Sequence, residues 1–293
     1  MTFNHILAVI DDTTTSAAVV KKSVILANKS RADLTILRVQ RTHTFNLSQL
    51  FHRKTDDSAP PHSNKLLREY PFKNKEVEIK ECQSHSIHQA VVNECEQYDY
   101  DLVVVSHKYY PPFFNEFMIA DEWHLLRSPS IPVMFVDSKD WQEDGHILTA
   151  LEIDNDNGVH QDFNKQLIKE TKTLAGLLHN DVHLINCYLE NPFDMAFTRH
   201  NQVVLSVHDE HEAKLAHIAQ KYHLEKEKIH IEHGLPEDTL SEMASQLDVN
   251  MLIIGSCENQ GIANFLSGHT SEYVLNRIKT DIYAIKPSTA RIN

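Results

Sequence analysis

Three glycines, Gly255, Gly261 and Gly268, follow directly on the apolar run Met251–Ile254, and a helical pattern starts at Thr270. They are three of only seven glycines in the 293 residues, and residues 1–144 contain none. Glycine lets the backbone approach a ligand closely and takes positive φ without strain. A strand, a glycine-bearing loop and a helix N-terminus together make an anion site, because free N–H groups and the helix dipole converge there. The hydroxyls of Ser256 and Thr270 stand at the two ends of this loop as phosphate contacts or phosphorylation acceptors. The competing reading is that the glycines only shape a long surface loop.

Other residues with chemical potential are less organised. Twenty histidines are many for this length. His208 and His211, with Asp209, share one face of a predicted helix, whereas His230 and His233 on a predicted strand point to opposite faces. No HExxH motif or Cys/His set completes a zinc site, so surface histidines are the preferred reading and a pH response or adventitious metal the sharper one. Cys257 lies beside Gly255 with nothing nearby in sequence to lower its pKa. No Ser-His-Asp or Cys-His arrangement has spacing that supports nucleophilic catalysis.

The elements that must position these residues follow one pattern. Apolar runs such as Ile6–Ile10, Asp101–Val105, Ile147–Leu151 and Met251–Ile254 lack polar alternation, as strands covered on both faces do. Between them lie helical patterns, among them Ser16–Asn28, Ile87–Gln97, Phe163–Leu178, His208–Tyr222, Asp238–Gln246 and Ser271–Lys279. Alternating strands and helices predict right-handed βαβ units and a mostly parallel α/β sheet. The order is then repeated. Residues 101–106 align with 250–255 at an offset of 149 that holds to the last strand, and Ile6–Asp11 aligns with Ile147–Glu152 at an offset of 141. Two copies of one α/β domain are therefore expected, over residues 1–140 and 145–293, joined by a polar linker.

Composition bounds the rest. An apolar content of 41% and a charged content of 24% fit a soluble globular protein. No apolar run reaches the ~18 residues of a membrane span, and the opening MTFNHILAVIDD lacks the basic start of a secretory signal. Four scattered cysteines without a CxxC are expected to be reduced, in a cytoplasmic protein. A net charge of −13 without a basic stripe argues against direct nucleic-acid binding.

The opening ILAVID, the stretch HGLPEDTLSEMA (His233–Ala244), the block LIIGS…GHTSEYVLNRIKTDIYAIKP and the first-half run DEWHLLRSPSIPVMFV (Asp121–Val136) resemble a tandem universal stress protein of the E type. The resemblance covers nearly the whole chain. It implies two five-stranded parallel sheets of order 3-2-1-4-5, with the two last strands paired across a pseudo-twofold. It also implies a nucleotide loop of the form G-x2-G-x9-G-[ST], an acidic residue beside adenine at the end of the first strand, and a contributing loop after the third. In the second half these fall on Gly255, Ser256, Gly268, His269 and Thr270, on Glu152, and on Gly234 and Pro236. Glu258 replaces the second glycine, and the hydroxyl stands one place late, at Thr270. In the first half Asp11 keeps the acidic position, but the frame reads Ser106, Tyr109, Ile119, Ala120 and Asp121, with no glycine. That half is expected to support rather than bind.

The functional expectation is a cytoplasmic stress-response protein, a sensor and interaction module linked to ATP or a related adenine nucleotide, with Mg, or to another small ligand. A monomeric pseudo-dimer or a homodimer fits this reading. The rival is a pseudo-dimeric scaffold that binds no nucleotide and serves protein partners. A third reading is weak ATP hydrolysis or autophosphorylation on Ser256 or Thr270, for which no general base is assignable. No catalytic residue and no metal ligand are assigned.

Overall fold

The computed structural model describes residues 3–11, 16–41, 71–72, 77–107, 123–127, 131–153, 158–189, 207–256 and 277–287. Two compact units divide the chain, Met1–Asp140 and Trp141–Asn293.

The first unit contains β1 (His5–Ile10), α1 (Ser16–Ser30), β2 (Asp33–Arg41), β3 (Val77–Ser84), α2 (Ile87–Cys95), β4 (Leu102–Ser106), α3 (Trp123–Arg127) and β5 (Val133–Val136). Its strands lie in the order β3-β2-β1-β4-β5, all parallel. The Leu102–Ser106 strand is buried throughout, which explains its unbroken apolar run, whereas the edge strand β3 is half exposed. Helix α2 begins where the sequence pattern places it, because the Ser86 hydroxyl accepts the Gln89 N–H at 3.0 Å.

The second unit contains β6 (His146–Ala150), α4 (Gly158–Leu178), β7 (Asp181–Tyr188), α5 (Val207–Tyr222), β8 (Ile229–His233), α6 (Pro236–Gln246), β9 (Met251–Gly255) and β10 (Asp281–Ile285). The strand order is β8-β7-β6-β9-β10, again parallel. Equivalent ladder bonds recur in the two units. The His107 N–H donates to Val136 O, and the Ser256 N–H donates to Ile285 O, each at 2.8 Å. The repeat at an offset of 149 is thus visible at the hydrogen-bond level. Helices α4 and α6 start earlier than their apolar patterns, at Gly158 and Pro236. Pro236 suits a first helical position, where no N–H is required.

Four helix ends are turned by left-handed residues that are not glycine: Arg31 (φ 59°), His179 (φ 58°), His223 (φ 56°) and Asp248 (φ 48°). Each is followed by an N–H that reaches back to the helix, as Ala32 does to Ala27 O and Asn180 to Ala175 O, both at 2.9 Å. The scarcity of glycine therefore reflects side chains placed in a conformation that costs them roughly 1–2 kcal/mol.

A buried amide closes the start of the second unit. Asn250 is 3% exposed. Its Oδ1 accepts the Gln142 N–H at 2.8 Å, and its Nδ2 donates to Gln142 O at 2.9 Å and to Asn180 Oδ1 at 3.1 Å. A Cβ at Gly145 would collide with this amide.

Two outcomes follow for stability. Arg31→Gly and His179→Gly should each raise stability by about 0.5–1 kcal/mol, the relieved strain being partly offset by the freer unfolded chain. Asn250→Ala should lower it by roughly 1–2 kcal/mol, because the amide's bonds to Gln142 and Asn180 would be lost. Urea titration of all three variants checks both signs.

Candidate functional site

In the second unit the chain leaves β6 and β9 in opposite directions across the sheet. These strands are neighbours, with Thr149 paired to Ile253. Ligands of open parallel sheets gather beyond the carboxyl ends of such a pair. Glu152 follows β6 and is 8% exposed. Its backbone oxygen accepts Asn164 Nδ2 at 2.6 Å from α4, and its Oε2 lies 3.4 Å from Nδ1 of His160, a wholly buried ring on the first turn of α4. A carboxylate taken out of water needs such a partner. Leu151 is fixed as well. Its N–H donates to Ile185 O, its carbonyl accepts Asn186 Nδ2 at 2.9 Å, and Asn186 Oδ1 stands 2.7 Å from Nδ1 of the buried His211 on α5. The end of β6 is thereby locked to β7, α4 and α5.

Gly255 closes β9, and Ser256 follows, 5% exposed. The structure thus brings Glu152, Gly255 and Ser256 to adjacent strand ends. Gly234 and Pro236 lie at the same end of the sheet but beyond β7, after β8. The Gly234 N–H donates to Tyr188 O at 2.9 Å. Its φ is +146°, and an added Cβ would lie 3.0 Å from Thr239 Oγ1, so glycine is required by the turn into α6. Gly268, His269 and Thr270, with Glu258 and Cys257, lie outside the described residues.

A cavity of about 320 Å³ opens beside Glu152 between α4 and α5. Lys165 of α4 and Lys214 and Lys221 of α5 border it, with Tyr222 at the wall. Lys214 is held by Glu210 at 2.9 Å and points toward Ile153 O at 3.5 Å, and Lys165 is held by Asp162 at 2.6 Å. Glu152 lines this groove with its carboxylate oxygens buried, and two of the three lysines are paired with Asp162 and Glu210. Sequence reasoning missed this groove. Its signal was the seven-residue spacing of Lys214 and Lys221, which share a helix face.

The corresponding place in the first unit is different. Asp11 is 8% exposed, with Arg41 3.9 Å from its carboxylate, and its backbone oxygen accepts the Ser16 hydroxyl at 2.6 Å. Buried Ser106 and His107 stand where Gly255 and Ser256 stand in the second unit. Residues 109 and 119–121 lie outside the described residues.

The histidines require a correction. His107, His160, His183 and His211 are buried, not on the surface. His208 and His211 both set their rings against Tyr188, and His211 also lies 2.7 Å from Asn186 Oδ1. His208, Asp209 and Glu212 bring donor atoms within 4.8 Å of one another. They sit on the first two turns of α5, whose dipole opposes a cation, and Lys226 already lies 3.1 Å from Glu212.

A family model described as the universal stress protein family matches residues 2–137 and again residues 158–286. The chain belongs to that family. Membership implies a role in the stress response, and two matches in one chain make this a tandem universal stress protein. It is similar to the Universal stress protein E homolog of Haemophilus influenzae, at 24% identity over 98% of this chain and 99% of that protein. It is also similar to Universal stress protein E of Escherichia coli, at 27% identity over 72% of this chain and 68% of that one. A solved universal stress protein from Archaeoglobus fulgidus shares the fold, with a TM-score of 0.66 at 12% identity, over 98% of this chain and 97% of that one. No described helix of this universal stress protein is long and apolar enough to cross a membrane.

Gly234→Ala is expected to destabilise the second unit by about 1–3 kcal/mol, through strain at positive φ. Thermal melting reads the loss. Glu232→Ala, on the strand just before, should change stability by less than about 0.5 kcal/mol.

Proposed function

We propose that this protein is a cytoplasmic stress-response module whose second unit binds an adenine nucleotide or another small anionic ligand and passes that binding to a partner surface. The observation that carries this reading is the buried Glu152 carboxylate beside the carboxyl end of β9, where Gly255 and Ser256 lie. A carboxylate there accepts from an exocyclic amine, while bare backbone and the Ser256 hydroxyl are suited to phosphate oxygens. Gly268, His269 and Thr270 complete the phosphate loop in this proposal, Gly234 and Pro236 contribute from the turn after β8, and Mg accompanies a triphosphate. The first unit, with Asp11 near Arg41 and side chains in place of glycine, supports rather than binds. For binding to act as a signal, the ligand must favour one of two conformations. The pseudo-twofold relation of the units, implied by the tandem resemblance, is part of the same proposal and is open to small-angle scattering of the whole chain.

The second reading is a scaffold for protein partners that takes no nucleotide. The glycine-free first half favours it, as does Glu258, which stands where the family frame has its second glycine.

Thermal melting with and without Mg-ATP, ADP and AMP separates the two. Ligand at 100 times its dissociation constant adds about 2.7 kcal/mol. For a chain of this size that amounts to a rise of roughly 5–10 °C in Tm. Glu152→Gln should weaken the shift for adenine nucleotides while leaving the unliganded protein folded. No shift with any adenylate would leave the scaffold.

A further inference from the structure

Three histidines on three adjacent strands form a hydrogen-bonded chain at the amino ends of β6, β7 and β8, the opposite end of the sheet from Glu152. Leu148 of β6 pairs with His183, and Ile185 of β7 pairs with His230. The two-residue period then puts His146, His183 and His230 on one face. His183 Nδ1 lies 3.0 Å from His230 Nε2, and His183 Nε2 lies 3.3 Å from His146 Nδ1. His183 is 6% exposed, and its outer neighbours are half-buried. On this face α6 covers the sheet through Thr239, which meets Cys187. The last turn of α6, Met243–Gln246, carries no ionisable side chain. The charges acting on His183 are Lys228, before β8, and Asp181, at the start of β7, and these pair with each other at 3.1 Å.

Such a chain counts its own protons. A neutral imidazole has one N–H and one lone pair. Three neutral rings in the same tautomer satisfy both contacts, and one added proton on any ring still allows a donor and an acceptor at each. A second proton does not. With two charged rings, one contact must set N–H against N–H, and two like charges share a poorly hydrated site.

We propose that the His146–His183–His230 chain is an acid-sensitive latch, which holds the start of edge strand β8 on β7 while it carries at most one added proton and releases it on the second. The sign of the pH effect is fixed by the central ring. Burial first, then the neighbouring His146 and His230, lower the His183 pKa to about 4, and burial lowers that of His230 too. An opened strand returns these rings to ordinary values near 6.5. Below about pH 6.5 the latched form therefore binds fewer protons than the open form. Opening gains as pH falls from there toward 4 and is unaffected above it. The released strand runs directly into Gly234 and the start of α6. The latch thus connects acid to the turn that precedes α6, and it does not rest on the nucleotide reading.

The test uses the full-length protein labelled with ¹⁵N. Imidazole ¹⁵N spectra should show one shared tautomer at pH 7.5 and coupled, non-independent titrations below pH 6.5. Hydrogen exchange, corrected for intrinsic rate, should show protection of the β8 amides falling at least tenfold between pH 7 and pH 5, while Ile253 in β9 changes less than twofold. His183→Leu should abolish the β8-specific fall. His230→Asn, which leaves the buried central ring in place, should do the same and serves if the first variant does not fold. Independent titration of the three rings would overturn the latch. So would β8 protection that does not depend on pH, or a tenfold fall that persists in a folded variant.

Discussion

Burial of β6 between β7 and β9 is the constraint on which the second unit depends. A parallel strand with neighbours on both edges and helices on both faces has no backbone group left for water. Its N–H and C=O groups must all be met by the protein, and at the carboxyl end, where the ladder stops, side chains take over. Asn164 caps Glu152 O, Asn186 caps Leu151 O, and His211 orients Asn186. The same side chains that satisfy the strand end therefore fix the place where a ligand would be met. Fold and site are coupled because both are answers to the same unsatisfied backbone.

The two copies of one topology close this strand end differently. In the first unit the equivalent strand end is closed by Ser16 and Arg41 around Asp11, and His107 occupies the place of Ser256. The backbone ladder is unchanged, as the His107 N–H bond to Val136 O shows. A domain can lose a binding loop without losing its sheet, since the sheet is held by main-chain pairing and buried apolar side chains rather than by the loop.

Much of this was legible in the sequence, and the reasons are specific. Leu102–Val105 and Met251–Ile254 read as buried strands because neither has a polar face. Glu152 was legible through the family resemblance, whose acidic position falls at the end of the first strand of the second half. The burial of His107, His160, His183 and His211 was not. Histidine is intermediate in hydrophobicity, and its fate depends on partners that the chain brings from far away, as His183 meets rings 37 and 47 residues distant. The lysine groove needed two helices to be placed side by side. The left-handed helix ends at Arg31 and His179 left no sequence signal, since the usual one is glycine.

The two ends of the second sheet carry opposite polar strategies. At the carboxyl ends a carboxylate and a histidine, Glu152 and His160, are buried together with 3.4 Å between Oε2 and Nδ1. At the amino ends His183 is buried between two half-buried imidazoles, and His146 and His230 both disfavour its charged form. The strands between them are rigid, so a change at one end is not absorbed by bending within the sheet. It must appear instead where the sheet is least held, at edge strand β8, whose outer side is unpaired within its own unit and whose far end carries Gly234. In the proposed scheme the acid response and the ligand site lie a strand's length apart and are joined through one edge.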